Sequence, residues 1–217
     1  MKKIFIISLL VIFVFLLGCS AEPRVADSLG WLADTPVLFF DDFSSQTGGW
    51  RTHEDRLTFS GYDQGGFRLS ADQPNYLIWS VPGLNFQDID IYTKATKLTG
   101  PENNLYGVIC RYQDSNHFYA FMIGSDGYYG IFRKQAGVLS MMGQTQMGFS
   151  EVIQGGGTAN QMTAICRGDQ LALVVNDVKL LQVQDETFSY GDVGLIAGNL
   201  ETAGTDILFD YFIVVKP

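Results

Sequence analysis

Leu105 to Arg133 reads LYGVICRYQDSNHFYAFMIGSDGYYGIFR. Three runs rich in aromatic and branched residues, Leu105 to Tyr112, Phe118 to Ile123 and Tyr128 to Arg133, are interrupted by polar turn formers, most plainly Ser125-Asp126-Gly127. That punctuation predicts short strands joined as hairpins, hence antiparallel neighbours. Successive side chains of a strand point to opposite faces. Tyr106, Val108, Cys110 and Tyr112 therefore share one face, with Leu105, Ile109 and Arg111 on the other. His117, Tyr119 and Phe121 oppose Phe118, Ala120 and Met122, and Tyr128 and Phe132 oppose Tyr129, Ile131 and Arg133. Both faces carry large side chains, so one is core and the other is either covered or used.

Working outward, similar runs occupy Val37 to Phe40, Leu57 to Ser60, Phe67 to Ala71, Tyr76 to Val81, Ile89 to Leu98, Val138 to Met142, Gln161 to Arg167, Leu171 to Val175, Lys179 to Val183, Val193 to Ala197 and Asp206 to Val215. Gly168-Asp169 and Asn176-Asp177 supply two further tight turns. About fourteen strands imply two sheets, and no stretch after the first eighteen residues keeps a helical apolar period long enough to cross over a parallel sheet. The expected fold is all-β, an antiparallel two-sheet β-sandwich of jelly-roll type. Composition agrees: 24 glycines, 13% aromatic and only 17% charged residues among 217 suit a turn-rich β domain better than a helical bundle. Gly155-Gly156-Gly157 marks a loop and not a phosphate cradle, because no Lys-Ser/Thr continuation follows.

The amino terminus carries an address. Lys2 and Lys3 precede an apolar run from Ile4 to Leu17, broken only by Ser8 and ending in Gly18-Cys19. The run falls short of the roughly twenty residues of a spanning helix, and it predicts an export signal over residues 1 to 18. Residues 19 to 36 are expected to form a tether and residues 37 to 217 the β-sandwich domain. Without residues 1 to 18 the chain has 12 basic against 23 acidic residues, a net charge of −11, and no basic cluster. Nucleic acid is excluded as a partner on that balance. Cys110 and Cys166 each lie in a strand-like run, and a compartment outside the cytoplasm permits the disulfide expected between them, two buried free thiols being the alternative.

Leu16-Leu17-Gly18-Cys19 resembles the bacterial lipobox. That resemblance implies cleavage before Cys19 and lipid attachment at its sulfur, with the domain anchored to a membrane of the bacterial cell envelope and facing away from the cytoplasm. Each buried CH₂ of an acyl chain contributes about 0.8 kcal/mol, so several chains hold firmly. From Phe39 to Val215 the chain resembles the concanavalin A-like lectin/glucanase superfamily, more narrowly laminin-G-like and 3-keto-glycoside-hydrolase-like domains. The resemblance rests on Phe39-Phe40-Asp41-Asp42-Phe43, on LYGVICRYQDSNHFYAFMIGSDGYYGIFR, on LALVVNDVKLLQVQD (171 to 185), on DVGLIAG (192 to 198) and on Leu208 to Val214. It implies that the first and last strands pair. One scaffold of this kind carries lectins, hydrolases and inert modules, so function must come from the site.

A retaining glucanase needs two carboxylates about 5 Å apart, and the Glu-x-Asp-x-x-Glu strand of family-16 hydrolases is missing. Asp88-Ile89-Asp90 comes nearest, yet alternation reads it as the solvent face of an outer strand. With two histidines, His53 and His117, far apart in sequence, neither a histidine metal site nor a catalytic triad is supported, and no catalytic residue is assigned. Asp41, Asp42, Asp206 and Asp210 would converge if the terminal strands pair. Oxygen donors of that kind suit a structural Ca²⁺, the only cofactor considered, the alternative being aspartates that accept backbone amides.

Sugar recognition calls for aromatic surface flanked by carboxylate, amide or guanidinium groups. The exposed set expected to supply it is Trp79, Arg111, Tyr119, Tyr128 and Tyr129, with Asp114, Asn116, His117 and Asp126 on adjoining loops. The expected function is a lipid-anchored extracytoplasmic module that binds a glycan or another surface component without catalysis. The alternatives are a glycoside hydrolase of the 3-keto-glycoside-hydrolase or glucanase type and a structural adhesion module.

Overall fold

Alternation in the sequence becomes sixteen strands in the structure, a computed structural model that describes residue 30 and residues 35 to 217. The expected signal peptide, Cys19, and the expected tether apart from Gly30, Thr35 and Pro36 lie outside the described residues. The chain divides into two units, Met1–Gly30 and Trp31–Pro217, and every strand belongs to the second. No helix among the described residues is long and apolar enough to cross a membrane.

In chain order the strands are β1 (Val37–Asp41), β2 (His53–Glu54), β3 (Thr58–Asp63), β4 (Gly66–Ala71), β5 (Tyr76–Ser80), β6 (Ile89–Thr99), β7 (Asn104–Asp114) and β8 (His117–Ile123). They continue with β9 (Tyr128–Gln135), β10 (Val138–Met141), β11 (Gly148–Phe149), β12 (Asn160–Arg167), β13 (Gln170–Val175), β14 (Val178–Gln184), β15 (Asp192–Asn199) and β16 (Thr205–Val215). Each of the fourteen apolar runs corresponds to one of these strands. The two additional ones, β2 and β11, are two residues long and too short to leave a periodic signal.

All pairings are antiparallel and form two sheets. The nine-stranded sheet runs β14, β13, β12, β6, β16, β4, β3, β2, with β1 also on β16; the seven-stranded sheet runs β10, β9, β8, β7, β15, β5, with β11 on β9. Val37 pairs with Val215 and Asp41 with Phe212, so the first and last strands close against each other. Asn176 and Asp177 both take positive φ (48° and 67°) in the two-residue β13–β14 turn, the backbone that a tight hairpin requires.

The core lies between the sheets. Tyr106, Val108, Cys110, Tyr119, Phe121 and Ile131 from the smaller sheet meet Ile89, Ile91, Met162, Ala164, Phe209 and Phe212 from the larger. Full burial of an aliphatic or aromatic side chain of this kind stabilises by about 1.5–3 kcal/mol. The Cys110–Cys166 disulfide joins β7 to β12 across this core, and both cysteines are fully buried. The opposite face of the smaller sheet carries a second buried cluster, Leu105, Ile109, Phe118, Ala120, Met122, Phe132 and Ile196.

Alternation assigned the faces correctly except after Cys110. The β7–β8 register shifts between Cys110 and Asp114, and Arg111 takes φ +52°. This bulge exchanges the sides: Tyr112 joins the second cluster and Arg111 turns inward. Asp90 is a second departure. It was expected on the solvent face of an outer strand, but β6 is central, and Asp90 is buried beneath the Arg167 guanidinium, which donates from Nε (2.8 Å) and Nη2.

Candidate functional site

The residues singled out from sequence do not form one site. Asp114, Asn116 and His117 lie in the β7–β8 turn, whereas Asp126, Tyr128 and Tyr129 lie beyond the far end of β8. Six residue steps of about 3.4 Å put these groups roughly 20 Å apart. Trp79 is elsewhere, on the edge strand β5.

In the first turn, Asp114 Oδ1 accepts the Asn116 N–H (2.7 Å) and contacts His117 Nδ1 (2.9 Å). The Asn116 amide, and then the His117 ring, hold the Asp114 carboxyl below its ordinary pKa. The edge of His117 meets the ring of Phe188, with centroids 6.0 Å apart. The histidine thus serves the loop as a hydrogen-bond partner.

Tyr119 and Arg111 were expected to be exposed and are not, with 0% and 1% of their surfaces accessible. Tyr119 faces inward in register with Cys110, and its hydroxyl donates to Asp185 Oδ1 while accepting the Phe188 N–H (3.0 Å). Burial, then the neighbouring Asp185 carboxylate, push its pKa up to about 12. Arg133 Nη1 donates to the other Asp185 oxygen and to Thr187 Oγ1 (2.8 Å). Arg111, turned inward by the bulge, donates from Nη1 to the Phe188 carbonyl (2.7 Å) and lies 3.4 Å from Asp88. Both side chains therefore fasten the segment from Asp185 to Phe188 onto the sandwich. A charge-assisted bond of this type adds about 1.5–3 kcal/mol.

Tyr128 is different. On β9 it faces outward and is 45% exposed, opposite Phe149 of β11, which is 58% exposed. The two ring centroids lie 5.5 Å apart at 66°, an edge-to-face pair that leaves aromatic surface open to solvent. Gly127, at φ +91°, makes the pair possible, because a Cβ there would sit 2.7 Å from the Phe149 ring. The Ser150 N–H bonds the Gly127 carbonyl (2.9 Å) and holds β11 against the turn. Asp126 in the same turn contributes a partly exposed carboxylate. Tyr129 is half-buried and packs inward against the main core, so of the two adjacent tyrosines Tyr128 is the accessible one. Phe149 was not anticipated. Its only sequence signal is a lone aromatic in Met147-Gly148-Phe149-Ser150, with no alternating run around it.

Trp79 is half-buried, 5.5 Å from Phe118, with the Lys134 ammonium 4.7 Å over its ring. Burial depresses the pKa of that lysine.

The four aspartates considered as calcium ligands are occupied by protein donors. Both oxygens of Asp206 are forked by Arg68 (2.7 Å each), and Asp210 pairs with Lys94 (2.7 Å). Asp41 accepts the Phe43 N–H and Trp50 Nε1–H (2.7 and 3.0 Å), and Asp42 accepts from Ser44. A cation would have to displace Arg68 and Lys94, so these residues do not fit a calcium site. Among the described residues no group of three or more His, Cys, Asp or Glu could hold a metal ion.

Burial raises the pKa of Asp41 and of Asp192, the property a general acid needs. Asp192, however, accepts the N–H groups of Gly83, Leu84 and Val193 (2.7–2.8 Å), and Asp41 is saturated as described. Both carboxylates are structural latches.

No family model matches this sequence, and no curated protein matches it. Solved structures do share the fold. A carbohydrate-binding module, CBM66 of Bacillus subtilis, superposes with a TM-score of 0.58 at 15% identity, covering 74% of this chain and 91% of that one. A Bacillus subtilis protein described as having a galectin-like fold gives 0.58 at 13% identity over 84% of this chain and 98% of that one. A family-16 hydrolase from a Bacteroides ovatus mixed-linkage glucan locus, solved with a product, gives 0.57 at 13% identity over 82% and 99%. At such identities the likeness establishes the fold, a jelly-roll β-sandwich, and leaves function to the site.

Proposed function

We propose that this protein is a lipid-anchored, extracytoplasmic β-sandwich that binds a glycan at the Tyr128–Phe149 edge without cleaving it. The exposed aromatic pair carries the reading. A pyranose presents an apolar face to an aromatic ring and hydroxyls to flanking acceptors, and Tyr128 and Phe149 on the paired strands β9 and β11, with Asp126 in the adjoining turn, offer that combination. Two structural neighbours are named for carbohydrate binding or for a glucan product, which supports a sugar ligand by analogy of fold. The case against hydrolysis rests on Asp41 and Asp192, whose pKa values burial raises but whose oxygens are taken up by backbone and indole donors, and on Asp90 and Asp206, each forked by an arginine. Anchoring rests on Leu16-Leu17-Gly18-Cys19. Screening the full chain, in a polyoxyethylene detergent, against immobilised oligosaccharides tests the reading: binding that Tyr128→Ala removes is expected, and no binding to any glycan would refute it.

A further inference from the structure

At the other edge of the smaller sheet, β5 faces β2 and β3 across the open side of the sandwich. A cleft of about 360 Å³ lies there, lined by Arg51, His53, Ser60, Tyr76 and Trp79 among others. Its volume falls within the range of small-ligand pockets, about 300–1,000 Å³. Four strand spacings of roughly 4.8 Å separate β5 from β9, so the cleft is about 19 Å from Tyr128.

The position of Arg51 is built from both sheets. Its carbonyl accepts the Ser60 hydroxyl of the larger sheet (3.2 Å) and the Ser80 hydroxyl of the smaller one (2.8 Å), and its N–H reaches the Val81 carbonyl (3.3 Å). The backbone is thereby clamped while the side chain stays exposed. Arg68, Arg111, Arg133 and Arg167 are each tied to aspartate, whereas Arg51 and Arg56 form no ion pair among the described residues, and of these two Arg51 lines the cleft. Asp192 senses its charge, yet the oxygens of Asp192 are already bonded by backbone N–H groups. In a chain where acids outnumber bases 23 to 14, a guanidinium without an ion pair, carried on a clamped backbone in a cleft that Tyr76 also lines, offers an anion a cationic partner there.

A guanidinium presents parallel N–H donors that match a carboxylate, and aromatic rings match the apolar face of a sugar. We propose that this cleft binds a carboxylate-bearing sugar, a uronate-type unit, whose carboxylate is forked by Arg51 and whose ring lies against Tyr76. The inference shares the ligand class of the Tyr128–Phe149 reading but uses different residues at the opposite edge, so each can fail alone.

The test titrates the full chain, in polyoxyethylene detergent, with methyl β-glucuronide and with methyl β-glucoside. The glucuronide is expected to bind at least about tenfold more tightly, the scale of one charge-assisted pair. Arg51→Gln should abolish that preference, Arg51→Lys should restore part of it, and Tyr128→Ala should leave it unchanged. Arg51 supports the fold through its backbone, so Arg51→Gln should keep the parent melting temperature; Tyr76→Ala, at a half-open position, provides a second variant that should weaken both sugars. Equal affinity for the two sugars, no binding of the glucuronide, or a preference that survives Arg51→Gln would overturn the proposal.

Discussion

Cys110 on β7 and Cys166 on β12 are bonded through the core, 56 residues apart, and tie the smaller sheet to the larger one. Closing a loop of that length restricts the unfolded chain by about 4 kcal/mol in the chain-entropy model. The double variant Cys110→Ala/Cys166→Ala should therefore melt roughly 8–16 °C below the parent, as expected for a domain of this size. Circular dichroism with temperature measures this directly; equal melting points would show that the bridge adds nothing.

Asp185 is the acceptor for Tyr119, Arg133 and Thr187. Burial acts to raise its pKa, but these hydrogen bonds and the Arg133 charge outweigh it and leave the folded value below 3.8. A lowered folded pKa means that the ionised group adds stability above pH 3.8, and that this contribution fades as the pH falls through the folded value. Asp185→Asn should cost about 2 kcal/mol at pH 7, and urea unfolding at pH 3 should show a smaller gap. A gap that does not change with pH would contradict the assignment.

Gly127 at φ +91° lets the Phe149 ring lie on the β8–β9 turn. Gly127→Ala combines an unfavourable backbone with a steric clash. It should destabilise by about 1–2 kcal/mol and weaken glycan binding, because the ring must move. Unchanged affinity in this variant would mean that the placement of Phe149 is unimportant.

How far the sequence could be read differs between fold and site, for physical reasons. Phe118 to Met122 alternates strictly, and a β-strand leaves no freedom in which side chains share a face, so both clusters of the smaller sheet were legible. Arg111 was not: a non-glycine residue at positive φ reverses the parity after it, and nothing in Cys110-Arg111-Tyr112 announces that. Tyr119 and Tyr128 look alike in sequence, yet one fills the core and the other meets solvent, since exposure depends on what packs above a strand and not on its own pattern. Phe149 became visible only when β11 paired with β9. The expected convergence of aspartates does not occur: the terminal strands pair, but Asp41 lies opposite Phe212, six residues along β16 from Asp206, and Arg68 and Lys94 take Asp206 and Asp210 from strands distant in sequence.

Anchoring is tested at Cys19. Cells fed an alkyne analogue of palmitate should incorporate it into the parent chain and not into Cys19→Ser, and the parent should partition with membranes. Two or more acyl chains are needed for stable retention, so a variant that stays soluble after fractionation supports the proposal. Equal labelling of the two chains would contradict it.

The central claim is that open aromatic surface at Tyr128 and Phe149 holds a sugar. Calorimetric titration of the full chain with the best oligosaccharide from the glycan screen should give an affinity that falls about tenfold or more in Tyr128→Ala and in Phe149→Ala, the scale of one aromatic contact and its buried area. Tyr129→Phe, on the inward face, should bind as the parent does. Undiminished affinity in both alanine variants would contradict the account.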